Sequence, residues 1–349
     1  MIRSEAKYFE KKKEIPKNIL EFIYEHKLFK MIVPKELNGS MYELPKAVEL
    51  FQEASRIDGN FGWVITIGSG GGMFVPNMKK QTAINFYSPK KAVIAGSGFP
   101  AGTAEPTDNG YIINGKWFYC SGSQYANGFT TTSFIKDKED IVAAVLKPYE
   151  VNVNENWDAF GLKGTSSHTI NVTDQFVPSN RIFSVLEKQN SFGSSVHAYP
   201  FKMFSEASFA AISIGIGKHF LEEVDAILEK NKINWSSGSN NRFNFLKSKL
   251  NEKETKWKIA NDRFHDAVKS TWSKHKKGEV INQELQDEFS IISKRSVTTI
   301  IHIVDDLFRY LGMQAVMENN YINQIWRDLH TASQHTFLIP QNKIEATPY

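Results

Sequence analysis

The sequence predicts an α+β protein in which a β-rich stretch sits between two helical regions. Three observations carry that reading. Apolar residues recur at three- and four-residue spacing before residue 79, and again from residue 199 onward. Between 91 and 183 the pattern changes to short apolar runs punctuated by Gly, Asn and Pro. A hydrophobic content of 41% over 349 residues is enough to bury a full core. The expected organisation is a helical domain over 1–89, a β domain over 90–187 and a helix-bundle domain over 188–349.

Taken in order, residues 14–31 carry Ile15, Ile19, Phe22, Ile23, Leu28 and Phe29 at helical spacing, with Pro16 suited to a first turn. Pro34 and Asn38-Gly39 end that helix. A second spans 42–57 through Leu44, Val48, Phe51 and Ala54, and Asp58-Gly59-Asn60 breaks it. Residues 61–78 are apolar and small, and include Gly68-Ser69-Gly70-Gly71-Gly72. Each glycine weakens a helix by about 1 kcal/mol relative to alanine, so the run points to close backbone packing or to contact with a ligand. It lacks the preceding strand and the lysine of a phosphate loop. Strands are expected at 92–95, 111–113, 117–120, 129–134, 141–146, 169–172 and 175–177, paired as an antiparallel barrel or sandwich. Helices are expected at 204–230, 242–275, 283–310 and 320–337, with 234–241 as the main loop among them.

Several function classes are excluded by composition. Forty-two basic against 38 acidic residues give a net charge of +4, too weak a field for a nucleic-acid partner. The single cysteine, Cys120, rules out an internal disulfide framework and fits a reducing compartment. No apolar stretch approaches the ~18 residues that span a bilayer, and no signal-peptide core is present, so a cytoplasmic protein without a membrane partner is expected. Neither an HExxH metal motif nor a GxSxG elbow occurs.

Short motifs in a fixed order resemble the acyl-CoA dehydrogenase superfamily over nearly the whole chain. They are Val33-Pro34-Lys35-Glu36-Leu37-Asn38-Gly39, Ala104-Glu105-Pro106, the run 110–116 (Gly-Tyr-Ile-Ile-Asn-Gly-Lys), Phe176-Val177-Pro178 and Trp326-Arg327-Asp328. Further runs are similar to the branch of two-component flavin monooxygenases, such as hydroxyphenylacetate hydroxylase. These are the "FPPGTA"-like hairpin at 99–104, the "W-x-x-x-SG-x-x-x-A" strand at 117–126, the "GL-x-GT-x-SH" segment at 161–168, and a histidine, His335, eight residues after Arg327. The resemblance implies an acyl-CoA dehydrogenase-like fold with a middle antiparallel β-barrel and a C-terminal four-helix bundle.

It also implies a flavin site. The expected cofactor is reduced FMN or FAD, used with O2 to hydroxylate an aromatic or polycyclic small molecule. A separate flavin reductase and a homotetramer are implied with it. His335 is the catalytic candidate, because a neutral imidazole titrates near working pH and can deprotonate or orient a phenol-like substrate. Ser121 is the second, placed with Ser123 on one face of a strand where hydroxyls can meet the flavin edge. Trp117 either covers the flavin ring or fills the core. Thr165, Ser166 and Ser167 offer hydroxyls and backbone donors to a phosphate or ribityl chain. Arg242, and after it Arg263, are phosphate candidates from the bundle. Arg327-Asp328 reads as a structural pair or cap, and His330 points off the face of His335.

Two departures separate the chain from acyl-CoA dehydrogenases. Ser333-Gln334-His335-Thr336 stands where a glutamate base is expected, and 311–316 lacks the "QxxGGxGY" run that holds adenine. One departure separates it from the monooxygenases, since Ser69 and Gly70 stand where a histidine is expected. The alternatives are therefore an FAD-dependent acyl-CoA dehydrogenase and a flavin-binding homologue without catalysis.

Overall fold

Helical spacing in the first 90 residues becomes five helices: α1 (Ala6–Lys12), α2 (Lys17–Glu25), α3 (Leu44–Ile57), α4 (Gly59–Gly70) and α5 (Lys80–Tyr87). The computed structural model describes residues 2–236 and 241–349. Asp58 does more than break the second helix. Its carboxylate accepts from the N–H groups of Asn60 (2.8 Å) and Phe61 (3.1 Å) and so caps α4. Glycine lets α4 approach its neighbours closely. A Cβ at Gly62 would lie 2.0 Å from Ser55 Oγ, and one at Gly68 would lie 2.4 Å from the Phe29 ring.

The middle region folds into β1 (Ile94–Thr107), β2 (Gly110–Cys120), β3 (Gly128–Ile135), β4 (Ile141–Leu146), β5 (Asn152–Asn154), β6 (His168–Pro178) and β7 (Ile182–Phe183). They form one seven-stranded sheet in the order β5-β6-β2-β1-β3-β4-β7. The sheet is not the closed antiparallel barrel expected. Its two ends, β5 and β7, do not pair with each other, and β1 pairs with β3 in parallel. Alternating apolar residues locate strands but do not say which strands become neighbours. Residues 99–104 form no hairpin either. They run within β1, and the irregularity there appears as register shifts at Gly96, Pro100 and Gly102.

Because β2 and β3 flank β1, the link 121–127 must cross one strand, a span of about 10 Å at the usual strand spacing. That crossover carries Ser121 and Ser123. Trp117 settles inside the sheet, fully buried, in room left by Gly102 and Gly115, and its indole N–H donates to Thr132 O at 2.8 Å.

A short helix, α6 (Ser195–Ala198), leads into three long ones: α7 (Phe201–Ser236), α8 (Arg242–Lys276) and α9 (Gln283–Leu311). The α7 helix packs against both α8 and α9, and α3 from the N-terminal region lies along it. The last helix, α10 (Tyr321–Ala332), also rests on α7 and stops short of the expected 337, so His335 lies in the turns beyond it. Of the loop expected at 234–241, Asn234–Ser236 continue α7, and 237–240 lie outside the described residues.

Candidate active site

The crossover after β2 is shaped by backbone before any side chain acts. Tyr119 adopts φ +62° where the β2–β6 register shifts, and Gly122 follows at φ +80°. The strand therefore ends at Cys120, and 121–125 turn onto the segment 163–166. Gly122 N–H donates to Thr165 O (2.9 Å) and Ser123 N–H to Ser166 O (3.3 Å). Ser121 and Ser123 thus lie in a turn and not on one strand face as expected. Their hydroxyls go to different partners. Ser123 Oγ donates to Ser166 O at 2.8 Å, and Ser166 Oγ donates to Gln124 Oε1 at 2.6 Å.

Ser121 belongs to a directed chain of hydroxyls. Thr165 Oγ1 donates to Leu162 O (2.9 Å), lies 2.7 Å from Ser167 Oγ, and Ser167 Oγ lies 2.8 Å from Ser121 Oγ. A hydroxyl has one proton and two accepting lone pairs. With the Thr165 proton spent on Leu162, Ser167 donates to Thr165, and Ser121 in turn donates to Ser167. Ser121 also accepts the indole N–H of Trp63 at 2.9 Å. One accepting lone pair on Ser121 remains.

Trp63 is delivered by α4, whose start is stapled to both neighbours. Asn60 Oδ1 accepts from Gly164 N–H (2.8 Å), and its amide donates to Asp328 Oδ2 (3.3 Å). Asp328 Oδ1 accepts from Leu162 N–H at 2.5 Å. Burial pushes the Asp58 carboxyl up to about 6. Burial and the neighbouring Asp58 hold the Asp328 carboxyl well above the usual carboxylate range. Arg327 and Asp328 do not pair with each other. Arg327 bonds Glu10 at 2.7 Å and Asn323 at 2.7 Å.

His335 lies near the same tryptophan. Its ring stacks on Phe209 (3.5 Å between centroids) and lies 6.1 Å from Trp63 and 5.6 Å from Phe337. Burial pushes its imidazole down to about 4, so it is neutral at pH 7. Its Nδ1 accepts from Phe337 N–H at 3.4 Å, which leaves the ring proton on Nε2. Trp63 therefore joins Ser121 to His335. His330 is elsewhere, bonded to Asp305 at 2.9 Å.

The remaining expectations separate. Trp117, sealed in the sheet, is core and cannot cover a ligand ring. Arg242 donates to Tyr310 O at 2.6 Å and lies over the Trp235 ring, so neither contact brings it to the serine cluster. Arg263 lies over Tyr349. Sequence reasoning missed Trp63 and Phe209 as site residues. Trp63 lies just after the Asp58-Gly59-Asn60 break, but its partners are 58 and 272 residues away, and no local pattern announces them.

The donor set fits a reduced flavin. Ser121 offers a spare acceptor, and reduced flavin presents an N–H at N5. His168, whose Nδ1 accepts from Trp157 N–H (3.0 Å), keeps a buried Nε2–H without a protein partner. Among the described residues no group of side chains could hold a metal ion.

The family model described as "Acyl-CoA dehydrogenase, C-terminal domain" matches residues 207–340. The chain is 23% identical over 342 residues to indole-3-acetate monooxygenase of Acinetobacter baumannii, covering 96% of this chain and 87% of that one. It is 22% identical over 352 residues to the flavin-dependent monooxygenase oxygenase subunit HsaA of Rhodococcus jostii, covering 97% and 92%. Its fold superimposes on the crystal structure of 3-HSA hydroxylase from Rhodococcus sp. RHA1 with a TM-score of 0.89, 21% identity and coverage of 97% and 91%. It also matches dibenzothiophene monooxygenase TdsC of Paenibacillus sp. A11-2, in a complex with FMN and indole, with a TM-score of 0.78, 17% identity and coverage of 97% and 91%. The family match thus falls on the C-terminal part of the chain, and the fold of the whole is shared with these monooxygenase structures. Several relatives are named as oxygenase subunits or components, among them HsaA and p-hydroxyphenylacetate 3-hydroxylase of Acinetobacter baumannii.

Proposed function

We propose that this chain is the oxygenase component of a two-component monooxygenase that uses reduced FMN or FAD and O2 to hydroxylate an aromatic or polycyclic small molecule. The observation that carries the reading is the one-way hydroxyl chain, which leaves Ser121 an acceptor suited to the reduced cofactor. When bound, the reduced flavin supplies the two electrons that activate O2. Ser121 would help hold the reduced cofactor by accepting a hydrogen bond from an N–H of its ring, and Trp63 fixes the serine by donating to it. The surrounding aromatic side chains exclude water, which strengthens each of these hydrogen bonds. His335 acts as a donor through Nε2–H and orients the substrate oxygen. A conjugate acid of about 4 makes it a weak base at neutral pH, so orientation and not proton abstraction is its role. Thr165 and Ser167 hold the chain's direction, and Ser166 holds the turn through Gln124.

The relatives named as oxygenase components or subunits support a separate flavin reductase as partner. We also read the chain as a cytoplasmic homotetramer with the domain limits given above, and α7–α10 as a four-helix bundle. No described helix is long and apolar enough to cross a membrane. An acyl-CoA dehydrogenase is disfavoured, because Asp58, which caps α4, and Asp328 of α10, packed beside it, are both committed to backbone N–H groups. No carboxylate occupies 333–336.

The test adds the protein to anaerobic reduced FMN, admits O2 with a panel of phenols and fused aromatics, and analyses products by mass spectrometry. A product heavier by one oxygen is expected. Oxidation of an acyl-CoA without O2, or no retention of either flavin, would overturn the proposal.

A further inference from the structure

We propose that a buried polar site between α7, α10 and the corner joining α3 to α4 holds ordered water, which bridges His219 of α7 to Tyr321 of α10. His219 is 2% exposed, and neither of its ring nitrogens meets a protein partner. The hydroxyl of Tyr321, at the start of α10, is likewise buried and without a protein partner. The two rings meet edge to face at 5.3 Å between centroids, so three uncommitted polar atoms belong to one pair of rings. The fold treats other buried histidines differently. His168 and His197 each accept a backbone N–H, from Trp157 (3.0 Å) and Ser194 (3.1 Å).

Chemistry limits the occupant. A neutral imidazole has one N–H donor and one bare acceptor, and a phenol adds a further donor. Whatever sits between them must both donate and accept. Burial, and after it the Arg3 guanidinium, push the imidazole down to about 3, so it is neutral at pH 7. Burial, and after it Asp58, keep the Tyr321 hydroxyl protonated.

An ion would find its possible counter-charges already engaged. Arg3 and Arg56 share Glu222 at 2.7 and 2.6 Å. Asp58 caps α4, Asp328 bonds Leu162 N–H, and Glu223 remains part exposed to solvent. Water is neutral, donates twice and accepts twice, and is the usual partner of buried polar groups that the chain leaves unpaired. One water at each nitrogen satisfies the imidazole, and the water on the Tyr321 side also takes the phenol proton. Arg3 ties the N-terminal segment to the same corner by donating to Ile57 O (3.2 Å) and Arg56 O (2.8 Å). The bridge therefore joins α7 to the helix whose Asp328 holds Asn60 and Leu162, and through them the start of α4.

The test reads the sign of a stability change. Tyr321→Phe removes one oxygen and keeps the ring. If water bridges the pair, the variant loses a hydrogen bond, and the melting midpoint should fall by about 1–3 °C. If the site is dry, the variant sheds an unpaired buried hydroxyl, and the midpoint should rise. His219→Leu should also lower the midpoint, and the double variant should lose less than the sum of the two, because both residues act through the same water. A crystal structure of the parent protein gives a second reading that does not depend on the variants. Solvent density at hydrogen-bonding distance from both imidazole nitrogens and from the phenol oxygen is expected. A raised or unchanged midpoint in Tyr321→Phe, strictly additive losses, or no solvent density at these atoms would each overturn the proposal.

Discussion

Replacing Ser121 by alanine isolates the contact on which the proposed chemistry rests. The hydroxyl donates to Ser167 Oγ (2.8 Å) and accepts from Trp63 Nε1 (2.9 Å). Its removal leaves the partly buried indole N–H without its acceptor, so the fold loses about 1–3 kcal/mol. That loss is common to every ligand of the folded protein and cancels in a ratio of two affinities. What does not cancel is the acceptor offered to N5, which is a donor in reduced flavin and a bare lone pair in oxidised flavin. One neutral hydrogen bond is worth about 0.5–1.5 kcal/mol net, so the preference for reduced over oxidised FMN should fall by about 2- to 12-fold. Anaerobic titration of both redox forms, read by tryptophan fluorescence, measures that ratio directly. Ser123→Ala is the control, because its hydroxyl is spent on Ser166 O, and the ratio there should stay at the parent value. An equal loss of both redox forms in Ser121→Ala, or an equal change of the ratio in Ser123→Ala, would refute the directional argument.

Three further outcomes follow from packing and charge. Gly62→Ala should cost about 3 kcal/mol or more, because its Cβ would meet backbone at 2.4 Å as well as Ser55 Oγ; a denaturation midpoint within error of the parent would contradict that contact. Lys294→Met removes one member of a buried ion pair (3.3 Å) that ties α9 to Glu345, and a loss of about 3–5 kcal/mol is expected in urea; a loss typical of a surface lysine would show the pair to be idle. Asp58 has a folded-state value of about 6, above its ordinary 3.8, so protonation favours the folded state. Its contribution is fully present below 3.8 and is lost as pH rises through 6, a difference of about 3 kcal/mol. Asp58→Asn keeps the capping oxygen, and its melting curves should lack Asp58's share of the stability that the parent gains between pH 7 and 4 while keeping that of Asp328; a variant that tracks the parent across that range would rule this out.

What the residues reveal before folding is their periodicity and their local chemistry. The change from helical spacing to short strands and back places the long helices and β2, β3, β4 and β6, because each buries one stripe that is written in the chain; α1, α5, α6, β5, β7 and most of β1 are too short or too irregular to show it. Asp58-Gly59-Asn60 is legible as the end of one helix, and the structure adds that Asp58 caps the next through partners two and three residues away. The hydroxyl-rich run at 165–167 and the serines at 121 and 123 can be singled out from the sequence for the same reason: the residue types needed are adjacent. Pairing is different. The parallel alignment of β1 with β3, the open sheet, and the crossover that turns Ser121 and Ser123 out of a strand all depend on which strands become neighbours. Trp117 and Trp63 show the same divide. Either indole could face a ligand or fill a core. Gly102 and Gly115 admit the first into the sheet, while α4, stapled by Asn60 and Asp328, carries the second to Ser121. The sequence alone determined the kinds of element and the chemical groups available. The tertiary structure decided which of those groups meet, because contacts across tens or hundreds of residues are selected by how whole elements pack and leave no trace in local spacing.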